Sequence, residues 1–271
     1  MSSIHGKVRR REETFTQRPM TKIWKEKASS ENPYIAEDCS CHGYNLFDLM
    51  EKRSFVDVLF LLFQGELPSV EKAQLLEQLM IALINPGPRH PATRAAMCVG
   101  VGKTDTTQIL PVALTTLSGR HLGAAEIEES MRFLRKEIKN DPNLVSDTLF
   151  AEATPPTEGD WHVAPGFGCR FGGIDKLPQK QADKLSSLPA AGKCLAWGQT
   201  FAKALNNHGH GWLATGLAAA IFADLGIQPR FGPGLFQLLS APGMLVHGME
   251  FANKPLTALP FIKDEDYFIE R

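Results

Sequence analysis

The sequence has no excess of charge of either sign. Its 271 residues include 29 lysine and arginine residues and 30 aspartate and glutamate residues, so the formal net charge at pH 7 is −1. Proteins that bind nucleic acids or anionic membrane surfaces usually carry a positive field that attracts them. The composition therefore argues against nucleic acid and membrane partners. The basic triplet at 9–11 does not alter this expectation, because acidic residues follow it at once.

Long apolar runs are also absent. No segment approaches the roughly 18 apolar residues of a membrane-spanning helix, and the N-terminal segment MSSIHGKVRRREETF has no apolar signal core. The cysteines are odd in number and widely spaced, unlike the dense framework of a small secreted protein. They are Cys39, Cys41, Cys98, Cys169 and Cys194. We therefore expect a cytoplasmic protein with reduced thiols.

Alternation of apolar and polar residues, which marks half-buried β-strands, is nearly absent, and apolar residues instead recur at helical spacings. One buried helix is expected from Ser54 to Gly65, and another from the N-cap candidate Ser69 to the sequence NPGP at 85–88. Further helical patterns occupy about 109–117, 127–138, 193–225 and 235–249. Proline and glycine predict connections over 140–192. The fold class is therefore predicted to be mainly α.

The distribution of charge predicts two regions. Residues 1–32 carry many charges and few apolar side chains, so we expect a charged N-terminal arm that does not form a core by itself. Residues 33–271 are expected to form one domain with its own core. With 43% hydrophobic residues, the chain can bury a large core.

Three short motifs do not support the sites that they suggest. The cluster of Cys39, Cys41 and His42 lacks a fourth zinc ligand at a suitable spacing. The segment GVGK at 100–103 lacks the first glycine of a phosphate-binding loop, because Met97 stands at that position. The segment GFGCRFGG at 166–173 does not follow a predicted strand, so it is a weak dinucleotide-binding motif. No metal site is predicted.

Five segments together form a more specific pattern. They are HGYNLFDLMEKRSFVDVLFLLFQGELPS at 42–69, LMIALINPG at 79–87, VAPGFGCR at 163–170, LNNHG at 205–209 and LGIQPRFGPGLFQLLSAPGMLVHGME at 225–250. In this order they resemble the citrate synthase superfamily, which includes citryl-CoA lyase and the synthase-like module of ATP-citrate lyase. The resemblance covers about residues 33–253, and the chain length is nearer to the short lyase-type members.

This resemblance implies a citrate-synthase-like helical fold, with a large helical domain and a small subdomain at roughly residues 88–200. It also implies chemistry next to a coenzyme A thioester, on an acyl-CoA or a polycarboxylate, without a permanently bound cofactor. Relatives of this kind form homodimers or dimers of dimers. The loop that would hold the pantetheine arm contains Val163, Ala164, Pro165, Gly166, Phe167 and Gly168.

The sequence departs from the family pattern where the family has its catalytic His, His and Asp. These positions carry Pro86, Cys169 and His208. The resemblance retains Arg170 as a carboxylate-binding residue, and implies substrate contacts by Asn85, Arg89 and His90. His90 is also a candidate for a displaced histidine. If the fold brings Cys169 and His208 together, they would form a catalytic thiol–imidazole pair.

Two functions follow from these departures. The first is a diverged acyl-CoA carbon–carbon lyase or acyltransferase that uses Cys169 and His208. Loss of one acid–base group costs roughly 10² to 10⁴ in rate, so ordinary citrate synthase turnover is not expected. The alternative is a non-catalytic pseudoenzyme that binds coenzyme A or a partner protein.

Overall fold

A computed structural model describes residues 21–152, 154–157, 159–260 and 262–270 of the chain. Eleven α-helices and five short strands lie in these ranges, which confirms the mainly α prediction. The chain divides into two compact units, residues 1–67 and 68–271. The expected boundary at residue 32 and the small subdomain at 88–200 stay predictions.

The N-terminal unit contains a small antiparallel sheet that the sequence analysis did not predict. Strand β1 (Trp24–Ala28) pairs with β2 (Ala36–Cys41), which pairs with β3 (Tyr44–Asn45). The side chains of β1 are all exposed, so the sequence shows no alternation there. Part of the expected charged arm therefore forms a strand, and its residues 1–20 lie outside the described ranges.

Two helices complete this unit, α1 (Leu46–Lys52) and α2 (Phe55–Gln64). Helix α2 begins and ends as predicted, with Ser54 in a capping box and Gly65 in the left-handed conformation. Its predicted burial is only partly right, because Phe55 is 73% exposed. Leu61 packs with Cys41 and Leu49 in the core of the unit.

The C-terminal unit is built from nine of the helices and two short strands. The first helices are α3 (Val70–Leu83), α4 (Pro91–Val101), α5 (Ile109–Leu117), α6 (Ala124–Glu137) and α7 (Pro142–Glu152). The others are α8 (Lys176–Leu185), α9 (Lys193–Asn206), α10 (Ala214–Asp224) and α11 (Gly232–Ala252). Strand β4 (Phe167–Gly168) pairs with β5 (Gly211–Trp212).

The prediction of mere connections over 140–192 is wrong for α7 and α8. Pro142 and Pro178 stand in the first turns of these helices, where proline does not break a helix because its missing N–H has no partner there. The Ser69 N-cap prediction is confirmed, since its side chain accepts a hydrogen bond from the Lys72 amide.

Helices α10 and α11 form the centre of the C-terminal unit. Thr215 to Phe222 of α10 are all buried, and α10 packs against α6 and α9. Helix α11 packs along α4, α5 and α6. Gly100 and Gly248 permit a close approach of α4 and α11, because a Cβ on Gly100 would lie 2.1 Å from the Gly248 carbonyl oxygen.

Helix α11 contains Pro242, which cannot donate a backbone hydrogen bond. The next amide, that of Gly243, donates across the unit to the Ile84 carbonyl at 2.9 Å. This bond fixes the turn after α3 against the middle of α11. The turn carries residues 85–90, where the sequence places candidate substrate contacts.

One of the short motifs in the sequence has a structural role. The segment GVGK falls at the end of α4, and the Lys103 ammonium donates to the Ala252 and Lys254 carbonyls.

The described residues contain no group of three or more His, Cys, Asp or Glu side chains arranged for a metal ion. In the same ranges, no helix is both long enough and apolar enough to cross a bilayer.

Candidate functional site

A cavity of about 110 Å³ lies within the C-terminal unit. At roughly 10–15 Å³ for each water position, it has room for several water molecules or a small organic acid. Asn85, Pro86 and His90 from the turn after α3, and Arg170 from the loop before α8, all line it. The fold therefore brings together three of the four predicted substrate-binding residues and Pro86.

The turn at 85–90 is held from two sides. The Asn85 Oδ1 accepts a hydrogen bond from the Gly87 amide at 2.9 Å, and its Nδ2 lies 3.3 Å from the His247 Nε2. Gly243 makes this approach possible, because a Cβ there would lie 2.5 Å from the Asn85 Cβ. The cavity wall at Asn85 thus depends on a glycine of α11.

His90 is buried and caps the N-terminus of α4. Its Nδ1 accepts from the Ala92 amide at 3.2 Å, so its Nε2 carries the hydrogen and donates to the Leu122 carbonyl at 3.2 Å. Burial lowers the pKa of His90, and the nearby Arg170 and His121 charges lower it further, against the opposing effect of the Leu122 carbonyl. His90 is therefore neutral at pH 7, with both ring nitrogens engaged.

Arg170 is the cation of the cavity. Its Nη1 donates to the Asp175 Oδ2 at 3.1 Å, and its side chain is 27% exposed. The other Asp175 oxygen accepts from the Leu177 amide and so caps α8. Asp175 also lines the cavity. The cavity therefore contains a guanidinium that is already paired with a carboxylate.

An open groove of about 460 Å³ adjoins the cavity and shares Pro86, Arg170 and Asp175 with it. Arg89 and Lys176 line this groove, and both are exposed. The predicted contact Arg89 thus lies at the entrance to the cavity rather than among the residues that line it.

A buried carboxylate supports the loop that leads to Arg170. Glu126 of α6 accepts from the Gly166 amide at 3.0 Å and from the His162 Nδ1 at 2.7 Å through Oε1, and from the Thr215 hydroxyl at 2.6 Å through Oε2. Thr215 lines the cavity. Sequence reasoning missed this network, because Glu126 is 36 to 89 residues away from its three partners and shares no motif with them.

His121 is a second group that the sequence analysis missed. Its ring stacks on that of His162 at a centroid distance of 4.8 Å, and its Nε2 lies 3.8 Å from the Asp160 carboxylate. Its side chain is 57% exposed, and the next residue, Leu122, lines the cavity. His162 directly precedes the segment VAPGFGCR, which was the available sequence signal for this pair.

Cys169 and His208, the predicted thiol–imidazole pair, have different surroundings. Cys169 is buried, and its sulfur accepts from the Trp161 amide at 3.2 Å. His208 is exposed and stacks on Phe150 at 3.9 Å. Among the described residues there is no hydrogen bond between the two side chains, and neither is among the residues that line the cavity. Their catalytic role stays a prediction.

Part of the predicted coenzyme A loop lines a different groove from the cavity. Val163, Ala164 and Pro165 line an open groove of about 720 Å³ that also contains Lys136 and Lys139. All residues of the loop except the half-buried Pro165 are buried. Gly166 has a φ of +81°, and a Cβ there would lie 2.3 Å from the Gly216 Cα. Only glycine fits at this contact.

Comparisons with known proteins address the fold. No protein-family model matches the sequence, and no curated protein matches it. The structure is similar to the citryl-CoA lyase from Hydrogenobacter thermophilus, with 21% identity, a TM-score of 0.75, and coverage of 93% of this chain and 94% of that chain.

Two further solved structures are similar. The ATP citrate lyase from Methanothrix soehngenii, in complex with citrate and coenzyme A, has 16% identity and a TM-score of 0.69 over 95% of this chain and 44% of that chain. The citrate synthase from Thermoplasma acidophilum, in a ternary complex with carboxymethyl coenzyme A and oxaloacetate, has 17% identity and a TM-score of 0.60 over 80% of this chain and 57% of that chain. The chain therefore has the citrate-synthase-like helical fold, as the sequence predicted.

Proposed function

We propose that the protein acts on a coenzyme A thioester and makes or breaks a bond next to the thioester carbonyl, as a carbon–carbon lyase or an acyltransferase. One observation carries this proposal. Asn85, Pro86 and His90 from one turn, and Arg170 from a loop 80 residues later in the sequence, line one cavity in a citrate-synthase-like fold. Solved structures with this fold were obtained with coenzyme A and citrate, or with carboxymethyl coenzyme A and oxaloacetate.

Arg170 is the residue proposed to hold the carboxylate of the substrate. A guanidinium binds carboxylates through paired N–H donors, and the Arg170 guanidinium uses only Nη1 for Asp175. The loop at 163–168 is proposed to lie against the pantetheine arm. Its groove contains Lys136 and Lys139, which are proposed to bind the phosphates of coenzyme A, together with the carboxylates of Glu137, Asp141 and Glu152.

His121 is proposed to exchange the proton that this chemistry requires. Formation of an enol from a thioester needs a base that removes the α-proton, and the reverse step needs an acid. Both ring nitrogens of His90 bind the backbone, and the His162 Nδ1 binds Glu126. The His121 side chain is exposed to solvent and is not among the residues that line the cavity, but the next residue, Leu122, does line it. We therefore propose that His121 exchanges protons with solvent and with a substrate bound at this end of the cavity.

A mass-spectrometric turnover assay tests this function. The purified protein is incubated with a set of acyl-CoA thioesters, each with and without free carboxylic acids, and new acyl-CoA and free acid products are measured. We expect turnover by the wild type and a loss of at least about 100-fold in His121→Gln, the usual magnitude for an acid–base residue. Arg120→Gln is the matched control, because Arg120 is exposed and, within the described ranges, its side chain pairs with the Glu129 carboxylate alone.

The same assay examines the predicted Cys169 and His208 pair. If turnover is largely lost in Cys169→Ala and in His208→Gln but retained in His121→Gln, the acid–base role belongs to Cys169 and His208 and not to His121. Absence of turnover with every thioester would contradict the enzymatic proposal.

A non-catalytic binding protein is the second candidate. It is favoured by the position of Pro86 in the cavity wall, because its side chain can neither donate nor accept a proton. Calorimetric binding of coenzyme A without turnover would support this candidate, and rapid turnover would contradict it.

A homodimer is proposed as the assembly, with a dimer of dimers as the larger form. Helix α11 has exposed apolar side chains at Leu238, Val246 and Met249, which are typical of a face that packs against another chain. Light scattering after size-exclusion chromatography would test this, and a monomer at micromolar concentration would contradict it.

A further inference from the structure

We propose that the cavity selects an acid with a single carboxylate and an apolar chain, and that Asp175 excludes acids with two or three carboxylates. This inference deepens the proposed function and depends on it for the role of the cavity. It concerns which carboxylic acid the site accepts. The names of the similar solved structures do not indicate a preference for acids with one carboxylate. Its basis is the charge and polarity of the described residues that line the cavity.

The first argument is the balance of charge. Among the described lining residues, Arg170 is the permanent cation and Asp175 is the carboxylate. They are 3.1 Å apart, and His90 adds no charge because its pKa is lowered. The cavity is therefore neutral before an acid binds. One carboxylate of the substrate can bind the Arg170 guanidinium, which also pairs with Asp175. A second carboxylate of the substrate would lie near the negative charge of Asp175 with no further cation to pair with.

The second argument is the polarity of the walls. Most of the lining side chains are apolar, including Leu83, Leu117, Leu122 and Phe236. A buried carboxylate without a partner costs several kcal/mol, so apolar walls repel a second carboxylate and favour a hydrocarbon chain.

The polar lining groups are partly committed to the protein. The Thr215 hydroxyl donates to Glu126, and the Gln181 amide donates to the Ala82 carbonyl. Each retains an oxygen that can accept a hydrogen bond. These acceptors suit a hydroxyl group of the substrate. The Ser240 hydroxyl and the Asn85 amide also line the cavity and can donate to a carboxylate, but neither carries a positive charge to balance it.

The cations of the entrance groove do not remove this restriction. Arg89 and Lys176 are exposed, so water screens them and they contribute little to a carboxylate bound inside the cavity. They attract anions of any valence to the entrance. Selection therefore occurs at Arg170 and Asp175, after entry.

Calorimetry of the full-length protein with 2-hydroxybutanoate and malate tests this inference. The two acids share a four-carbon chain and a 2-hydroxyl group, and differ by one carboxylate. Each titration is done with and without coenzyme A. We expect a Kd for malate at least tenfold higher than that for 2-hydroxybutanoate, and weaker binding still for citrate.

Three variants test which residues cause the preference for acids with one carboxylate. Arg170→Gln should weaken the binding of 2-hydroxybutanoate at least tenfold, whereas Arg89→Gln should change it less than threefold. Asp175→Asn should reduce the ratio of the malate Kd to the 2-hydroxybutanoate Kd at least tenfold. Asparagine remains a good N-cap for α8, and thermal unfolding confirms that each variant is folded.

Several outcomes would overturn the inference. They are wild-type binding of malate or citrate at least as tight as that of 2-hydroxybutanoate, an unchanged ratio in folded Asp175→Asn, and no binding of 2-hydroxybutanoate under either condition. These outcomes differ from failure of the proposed function, which appears as absence of thioester turnover and coenzyme A binding. A protein that prefers malate can still turn over a thioester.

Discussion

The Glu126 carboxylate lies 2.7 Å from the His162 Nδ1, and the same oxygen accepts the Gly166 amide. Since the other oxygen accepts the Thr215 hydroxyl, one buried side chain joins α6, the loop before β4 and the start of α10. The loop before Arg170 and the cavity wall at Thr215 therefore share one support.

Replacement of the Glu126 carboxylate should destabilise the folded protein. Glu126→Gln substitutes one amide donor for an acceptor, so at least one buried partner loses its hydrogen bond. We expect a loss of about 2–4 kcal/mol in the free energy of unfolding, since a buried unsatisfied partner costs about 1–3 kcal/mol and more when charge is involved. Chemical denaturation measures it. Glu128→Gln on the same helix is the control, because its partner Arg132 is largely exposed, and an equal loss there would contradict the prediction.

Burial of His90 predicts a loss of stability in acid. Its folded-state pKa is lowered, so the unfolded chain binds more protons as the pH falls through the unfolded value of about 6.5. Stability from this group is therefore present above that pH and decreases below it, until the pH passes the folded-state pKa.

Denaturation at pH 7.5, 6.5 and 5.5 should show a smaller pH dependence in His90→Asn, where asparagine retains the capping function. The matched control His208→Asn, at an exposed histidine, should retain the wild-type dependence. If His90→Asn and the wild type lose stability in parallel, burial of His90 is not the cause.

Substitution of Gly243 by a larger residue should destabilise the protein. An added Cβ would lie 2.5 Å from the Asn85 Cβ and 2.6 Å from its Cα, so the turn at 85–90 must move. We expect Gly243→Ala to cost about 1–3 kcal/mol in stability and to weaken ligand binding in the cavity. Gly234→Ala in the same helix has open space around it and should be neutral or stabilising by up to about 1 kcal/mol. Similar results for the two variants would contradict this packing.

The cysteines should differ in reactivity. Burial, with a smaller contribution from the neighbouring Asp224, raises the pKa of Cys194 to about 12, so almost no thiolate is present at pH 8. Cys98 is exposed. Alkylation of the native protein with iodoacetamide at pH 8, followed by peptide mass spectrometry, should modify Cys98 and leave Cys194 unmodified. Rapid modification of Cys194 before unfolding would show that its environment is open.

Local patterns predicted the helices best. The capping residues Ser54 and Ser69 and the terminator Gly65 act over three or four residues, so their effect is visible in the sequence. The strand β1 escaped prediction because its exposed side chains do not alternate. Helices α7 and α8 escaped it because their prolines were interpreted as breaks, although proline in a first turn is compatible with a helix.

The candidate site was only partly accessible to such reasoning. Arg170, Asn85 and His90 were predicted from segments with a recognisable resemblance, and they do line one cavity. The Glu126 network and the His121–His162 stack were not predicted, because they join residues from distant segments.

The sequence by itself determined the helical character, both ends of α2, the start of α3 and the fold, because these depend on local patterns and on long segments with a recognisable order. Only the tertiary structure decided that Arg170 is paired with Asp175 and that both nitrogens of His90 bind the backbone. It also decided that Cys169 is buried and accepts the Trp161 amide, whereas His208 is exposed and stacks on Phe150. These relationships depend on distances of about 3 Å between side chains, which the packing of the helices fixes and the order of residues along the chain does not show.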